Sequence, residues 1–420
     1  MDNLIGLVLI LGFYIEVYLI YKIEKNNWGT IYTPINLLML PYAFLIPIAI
    51  ISFSVNDGYC FYYPSLLIWM IGLLVFEIPS VILSAFIIKK NTISYDKINL
   101  SSSLYSKYLR LNIVLVGLFF FRFLQLYKSG IPVGSDEFGE AFATYGLWGH
   151  LNLILMIFNI GNIILLGSRQ KSDNYLLILL IIAGSAISFL NQVKGWMLIP
   201  LIGGIIVRLR SGQLKLSPKI VLFICTLGSL FFFLSYYIAL VVLGNNSDTS
   251  WFWEFIRDHF IFYLTSGVNG LAEYCRLYMF SSADLVNAVS NICYPINMVV
   301  ERLLNIKTTS VTSYAYSYLD IAYGESNVRT FFGDYYILGG ISGGIILVLF
   351  NSLICYSILL FTKINKSLFL YIAYGFVSGI LTMGWFSSYT QLLNTYEVPI
   401  FCFVLYLIQK KYKKYRLWLE

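Results

Sequence analysis

Residues 337–361, ILGGISGGIILVLFNSLICYSILLF, run for 25 positions without a charge. About 20 apolar residues in a helix cross the ~30 Å hydrocarbon core of a bilayer. Residues 65–88, SLLIWMIGLLVFEIPSVILSAFII, repeat the pattern with one carboxylate, Glu77. Similar stretches recur outward from these two to both ends of the chain. Of the 420 residues, 59% are apolar and 12% are charged, and the mean hydropathy is +0.76. Soluble domains run nearer about 45–50% apolar and about 25% charged. That balance excludes a soluble enzyme, a disordered chain and a nucleic-acid-binding domain. Backbone amides in lipid must bond one another, which leaves helices or closed barrels. Long apolar runs, instead of alternating ten-residue ones, select helices.

The expected fold is therefore an all-α, polytopic membrane protein forming one transmembrane domain over residues 1–420. Eleven spans are predicted, at 3–21, 35–55, 65–88, 111–127, 148–166, 175–190, 195–207, 220–243, 337–361, 368–386 and 388–408. The first lacks a basic leader and a small-residue cleavage site, so it reads as an anchor and not a signal peptide. One set of connections, from Lys22 and Lys25 to the tail Lys410–Arg416, holds 20 of the 28 Lys and Arg with four acidic residues. Glu24 is counted among those four. Basic loops stay in the cytoplasm. The C-terminus is then cytoplasmic and the N-terminus outside.

Two outer connections are long. One covers 128–147. The other, 244–336, is expected to form a large helical extracytoplasmic subdomain, since loops of such length carry elements and function of their own. It opens on the aromatic stretch Trp251–Leu264, read as an amphipathic helix lying in the membrane interface. Further helices are expected at 267–280, 283–292 and 295–305. Cys275 and Cys293 are close enough in sequence for a disulfide in an oxidising compartment. Two histidines, His150 and His259, are too few for a usual metal cluster.

Basic residues on the outer side need a reason, because outer connections disfavour them. Lys194, in the turn Asn191-Gln192-Val193-Lys194-Gly195, suits a phosphate as a point charge, and Gly195 allows close backbone approach. Arg257 and Arg276 suit two-point binding of phosphate oxygens. Arg302 and Lys307 read as solvated loop charges. The densest constellation is Glu325–Tyr336, before the glycine-rich span. Its polar groups and aromatic faces, among them Asn327 and Tyr335, suit a sugar at the membrane boundary. Asp334 also suits a helix start, where a negative charge is stabilising.

Three features resemble the Wzy-type oligosaccharide repeat-unit polymerases of bacterial O-antigen and capsule assembly. They are the Lys194-Gly195 turn, the stretch Tyr263–Leu271, and Asn327–Asp334 before a glycine-rich span. The resemblance implies a GT-C-like, metal-independent glycosyltransferase with no cofactor, in the bacterial inner membrane with its large loop periplasmic. Its substrates would be undecaprenyl-diphosphate-linked oligosaccharides, with membrane lipids and a chain-length regulator as further partners and no nucleic acid. The implied diphosphate ligands are Arg122, Lys194, Arg257, Arg276 and Arg329. The implied base is His259, Glu273 or Asp334, and Tyr263, Asn327 and Tyr335 would bind sugar. An O-antigen ligase, a flippase or exporter, and another lipid-linked transferase remain as alternatives.

Overall fold

The computed structural model describes residues 2–55, 61–86, 100–168 except 134 and 145, 171–190, 194–242, 250–278, 301, 303–305, 318–321, 323–390 and 392–419. Its helices are α1 (Asp2–Trp28), α2 (Pro34–Val55), α3 (Leu66–Ser84), α4 (Ser102–Lys128), the short α5 (Asp136–Gly139), α6 (Gly146–Leu165), α7 (Lys171–Leu190), α8 (Lys194–Arg210), α9 (Pro218–Tyr237) and α10 (Ser250–Tyr278). After these come α11 (Phe331–Ile364), α12 (Leu368–Thr382) and α13 (Asn394–Leu419). A helix falls on each predicted apolar segment. Seven helices among the described residues are long and apolar enough to cross a membrane, α11 being the longest at 34 residues. The chain is an all-α polytopic membrane protein.

The chain divides into two compact units. The first holds residues 1–90, 223–357 and 380–393. In it α1 packs on α2 and α3, and α10 packs along α2. The second holds 91–222, 358–379 and 394–420. There α6 packs against α7 and α8, and Tyr108 and Asn112 both donate to Asn162 Oδ1, at 2.9 and 3.1 Å.

Residues 251–264 and 267–280 do not form two helices. One continuous α10 runs from Ser250 to Tyr278. Its first half is mostly exposed or half-buried, but Thr265–Cys275 is wholly buried. A helix lying in the interface would leave one face wet along its length, so the second half of α10 is a core element instead. The two glycines there are needed for close approach. A Cβ on Gly267 would lie 2.3 Å from the Trp385 carbonyl oxygen, and one on Gly270 would lie 2.3 Å from that of Val328. Gly270→Ala is therefore expected to cost about 1–3 kcal/mol or more, because fixed backbone must shift. Gly117→Ala, where added bulk meets nothing within 4 Å, should be neutral or gain up to about 1 kcal/mol of helix propensity. Thermal unfolding of the purified variants checks both signs.

The approach to α11 contains a small antiparallel hairpin, β1 (Leu319–Ile321) with β2 (Gly324–Ser326), pairing Leu319 with Ser326 and Ile321 with Gly324. It is a short strand pair in a segment expected to be helix and coil. α11 begins at Phe331, six residues before the predicted span, and breaks at Gly340, where φ is 59° and ψ is −160°. Glu24 is not a loop charge: it lies in α1 and is fully buried. Cys275 is a buried free thiol, and burial pushes its pKa up to about 12. Cys293 and the helices expected at 283–292 and most of 295–305 lie outside the described residues, as does Lys307.

Candidate functional site

The first unit gathers polar groups at the start of α11. Thr330 precedes the helix, and its Oγ1 accepts from the Gly333 amide at 3.4 Å and from Trp69 Nε1 at 3.1 Å. One turn in, Asp334 is buried. Its Oδ2 accepts from the Ser387 hydroxyl and from the Ser388 amide, both at 2.8 Å. Tyr335 OH donates to Thr390 Oγ1 at 2.7 Å, and Thr390 Oγ1 donates to Ser388 Oγ at 3.2 Å. The segment 384–390 is pinned there by backbone bonds. Thr330 N donates to Phe386 O at 3.1 Å, and Phe331 N donates to Gly384 O at 2.7 Å.

Arg329 is buried to 1% exposure. Its Nη1 donates to the carbonyls of Ser326 at 2.8 Å and Val328 at 2.9 Å. Burial pulls the guanidinium down to about 10, and the charge of Asp334 acts in the opposite direction. A guanidinium at that value is still charged at neutral pH. The site thus holds a buried cation and a carboxylate five residues apart.

Two residues beside Asp334 have left-handed backbone: Thr330 at φ 67° and Tyr389 at φ 53°. A β-branched or bulky residue there is a genuine outlier. Each such conformation costs about 1–3 kcal/mol and persists only where the surroundings enforce it, typically at functional sites.

The other predicted site residues divide. Tyr263 lies in the same unit and its ring stacks on Phe386 at 6.0 Å between centroids. Asn327 is exposed in the loop before Arg329. His259 Nε2 pairs with Tyr236 OH at 2.8 Å, and its ring packs on Phe255 and Tyr263 at 4.8 and 4.9 Å. Glu273 is engaged by Arg276 through two bonds of 2.9 and 2.5 Å. Arg257 is a surface residue paired with Asp258 at 2.8 Å. Arg122 and Lys194 belong to the second unit. Arg122 donates to Gln125 Oε1 at 3.0 Å and to the Ala141 carbonyl at 2.7 Å, with Trp148 beneath it. Lys194 is the first residue of α8. His150 pairs with Glu397 at 3.3 Å.

Sequence reading missed Ser387, Ser388, Tyr389, Thr390 and Trp69. The first four do form a run, Ser-Ser-Tyr-Thr, that interrupts two apolar segments. That polarity is the one signal that points to them.

Fold and site together define a multi-pass helical membrane protein with an arginine and an aspartate buried at the start of a spanning helix. The chain belongs to the DUF6337 family, a family of unknown function, whose profile matches residues 58–415. Comparison with curated proteins and with solved structures gave no match.

Proposed function

We propose that the chain is a polysaccharide polymerase that joins oligosaccharide repeat units carried on undecaprenyl diphosphate, at the periplasmic face of the bacterial inner membrane. The observation supporting this reading is that Arg329 and Asp334 are both buried, beside the left-handed Thr330 and Tyr389, at the start of α11. In the proposed reaction the acceptor hydroxyl oxygen bonds to the anomeric carbon of the donor glycan. The bond from that carbon to the diphosphate oxygen breaks, and the diphosphate leaves with the electron pair. The hydroxyl proton passes to a base.

Asp334 suits the base better than His259 or Glu273. The bonds from the Ser387 hydroxyl and the Ser388 amide both fall on Oδ2, so Oδ1 is the oxygen proposed to take the proton. His259 is engaged by Tyr236 inside aromatic packing, and Glu273 is held by Arg276. Arg329 supplies a buried positive charge, which acts strongly where water is excluded. Arg257 and Arg276 are the remaining groups of the first unit proposed to neutralise diphosphate. Tyr263, Tyr335 and Asn327 are proposed to orient the sugar.

Chromosomal deletion tests the reaction class. A strain without the polymerase should carry lipid cores capped by one repeat unit, since the ligase still transfers monomers. A strain without a ligase would carry bare cores, with polymer accumulating on the lipid carrier. Normal long-chain polysaccharide in the deletion strain would rule out the proposal.

A further inference from the structure

The first unit contains a second buried acidic site that glycosyl transfer does not use. Glu24 of α1 is 0% exposed and Glu77 of α3 is 7% exposed. The Glu77 carboxyl lies within hydrogen-bonding reach of Glu24. The directions of the surrounding bonds are fixed by the donors. Trp28 Nε1 donates to Ser80 Oγ at 2.8 Å, so the single Ser80 proton is directed to Glu24 Oε1. The Ile35 amide donates to Tyr356 OH at 3.4 Å, and Tyr356 donates to Glu24 Oε2 at 2.9 Å. Both oxygens of Glu24 therefore act as acceptors, which is the pattern of a carboxylate.

Glu77 is the opposite case. Among the described residues neither of its oxygens accepts a hydrogen bond, although both are buried. Thr33 Oγ1, also fully buried, lies within hydrogen-bonding reach of Glu24 and is a further donor to that carboxylate. An ionised Glu77 would place a second negative charge beside the first with no donor to stabilise it. Two carboxyls in contact away from water cannot both ionise readily. Among the described residues, the other titratable group facing the pair is Tyr356, a neutral phenol that already donates to Glu24.

We infer that Glu24 and Glu77 form an intramembrane proton-binding site, in which Glu77 carries one proton and donates it to the Glu24 carboxylate. The proton holds α1, α3 and α11 together at this point, because Glu24, Glu77 and Tyr356 come from those three helices. This inference is independent of the proposed glycosyl transfer. Intramembrane carboxyls elsewhere serve as proton-relay or ion sites, so a small metal cation is the competing occupant.

Infrared difference spectroscopy on the purified full-length chain at neutral pH distinguishes them. The wild type should show the carbonyl stretch of a protonated carboxylic acid that is sensitive to deuterium exchange. Glu77→Gln should remove that band while the protein remains folded, since the amide can donate to Glu24 in place of the acid. Glu24→Gln should keep the band at a shifted position, and should lower thermal stability because Ser80 and Tyr356 lose their carboxylate. If Glu24→Gln does not fold, the Glu77→Gln spectrum alone decides. A spectrum unchanged by Glu77→Gln, or a band lost in Glu24→Gln and kept in Glu77→Gln, overturns the assignment. So does sodium-dependent thermal stabilisation of the wild type, measured against potassium, that Glu77→Gln abolishes.

Discussion

Asp334→Asn is expected to end polymer formation in protein that still reaches the membrane, with a loss of stability because the buried Arg329 loses a nearby carboxylate. Asparagine keeps the shape and can still accept from Ser387 and the Ser388 amide at the oxygen that now receives both bonds. It cannot take a proton from an acceptor hydroxyl. General bases contribute about 10²–10⁴ in rate, and a loss in that range would leave lipid cores with single repeat units. His259→Ala, in contrast, should reduce yield only modestly, since its ring serves mainly to pack against Tyr236 and Phe255. Polymer length and yield at matched expression provide the measurement. Long polymer from Asp334→Asn together with none from His259→Ala would move the base to the histidine.

Arg329→Ala is expected to lose stability and polymer together. Loss of the buried cation takes away a favourable charge interaction with Asp334, and a buried polar group left without its partner costs about 1–3 kcal/mol. Here the substitution also removes the donor that Nη1 supplies to the carbonyls of Ser326 and Val328. Arg329→Lys should recover part of the loss, since an ammonium restores the charge without the planar fork. The double variant Arg329→Ala with Asp334→Asn should be less unstable than the sum of the two single effects, because it leaves no unpaired carboxylate. Thermal unfolding of the four proteins gives this coupling directly. Strict additivity would mean that Arg329 acts only on its own loop, through Ser326 and Val328.

These outcomes bear on how far the site was legible beforehand. Arg329, Asp334 and Tyr335 stood out because charge and polarity next to an uncharged span are rare, and the structure gathers them at the foot of α11. The partners of Asp334 and Tyr335 in 387–390 lie more than fifty residues further on, and only the folded chain pairs them. The left-handed backbone of Thr330 and Tyr389 has no sequence mark, since neither residue type favours it. The division of α10 into two helices, 251–264 and 267–280, does not hold. Gly267 and Gly270 sit inside the continuous helix at a cost of about 1 kcal/mol each in propensity, because backbone of the 328 and 385–386 segments occupies the space a side chain would need. Glu24 was misplaced for a different reason. Charge counting treats a carboxylate among lysines as a loop residue, whereas Ser80 and Tyr356 draw this one into the helix packing.

The break at Gly340 has a consequence for membrane thickness. A straight helix of the length of α11 would extend about 51 Å at 1.5 Å per residue, well beyond a hydrocarbon layer of about 30 Å. The segment after Gly340, residues 341–364, accounts for about 36 Å of that, close to what a modestly tilted span needs. Hydrophobic matching is thus met by the distal segment alone. The short proximal rod that carries Asp334 is released from that constraint, so a bilayer a few ångströms thicker or thinner would change the tilt of residues 341–364 and leave the depth of the carboxylate to be set by the 384–390 segment that grips it.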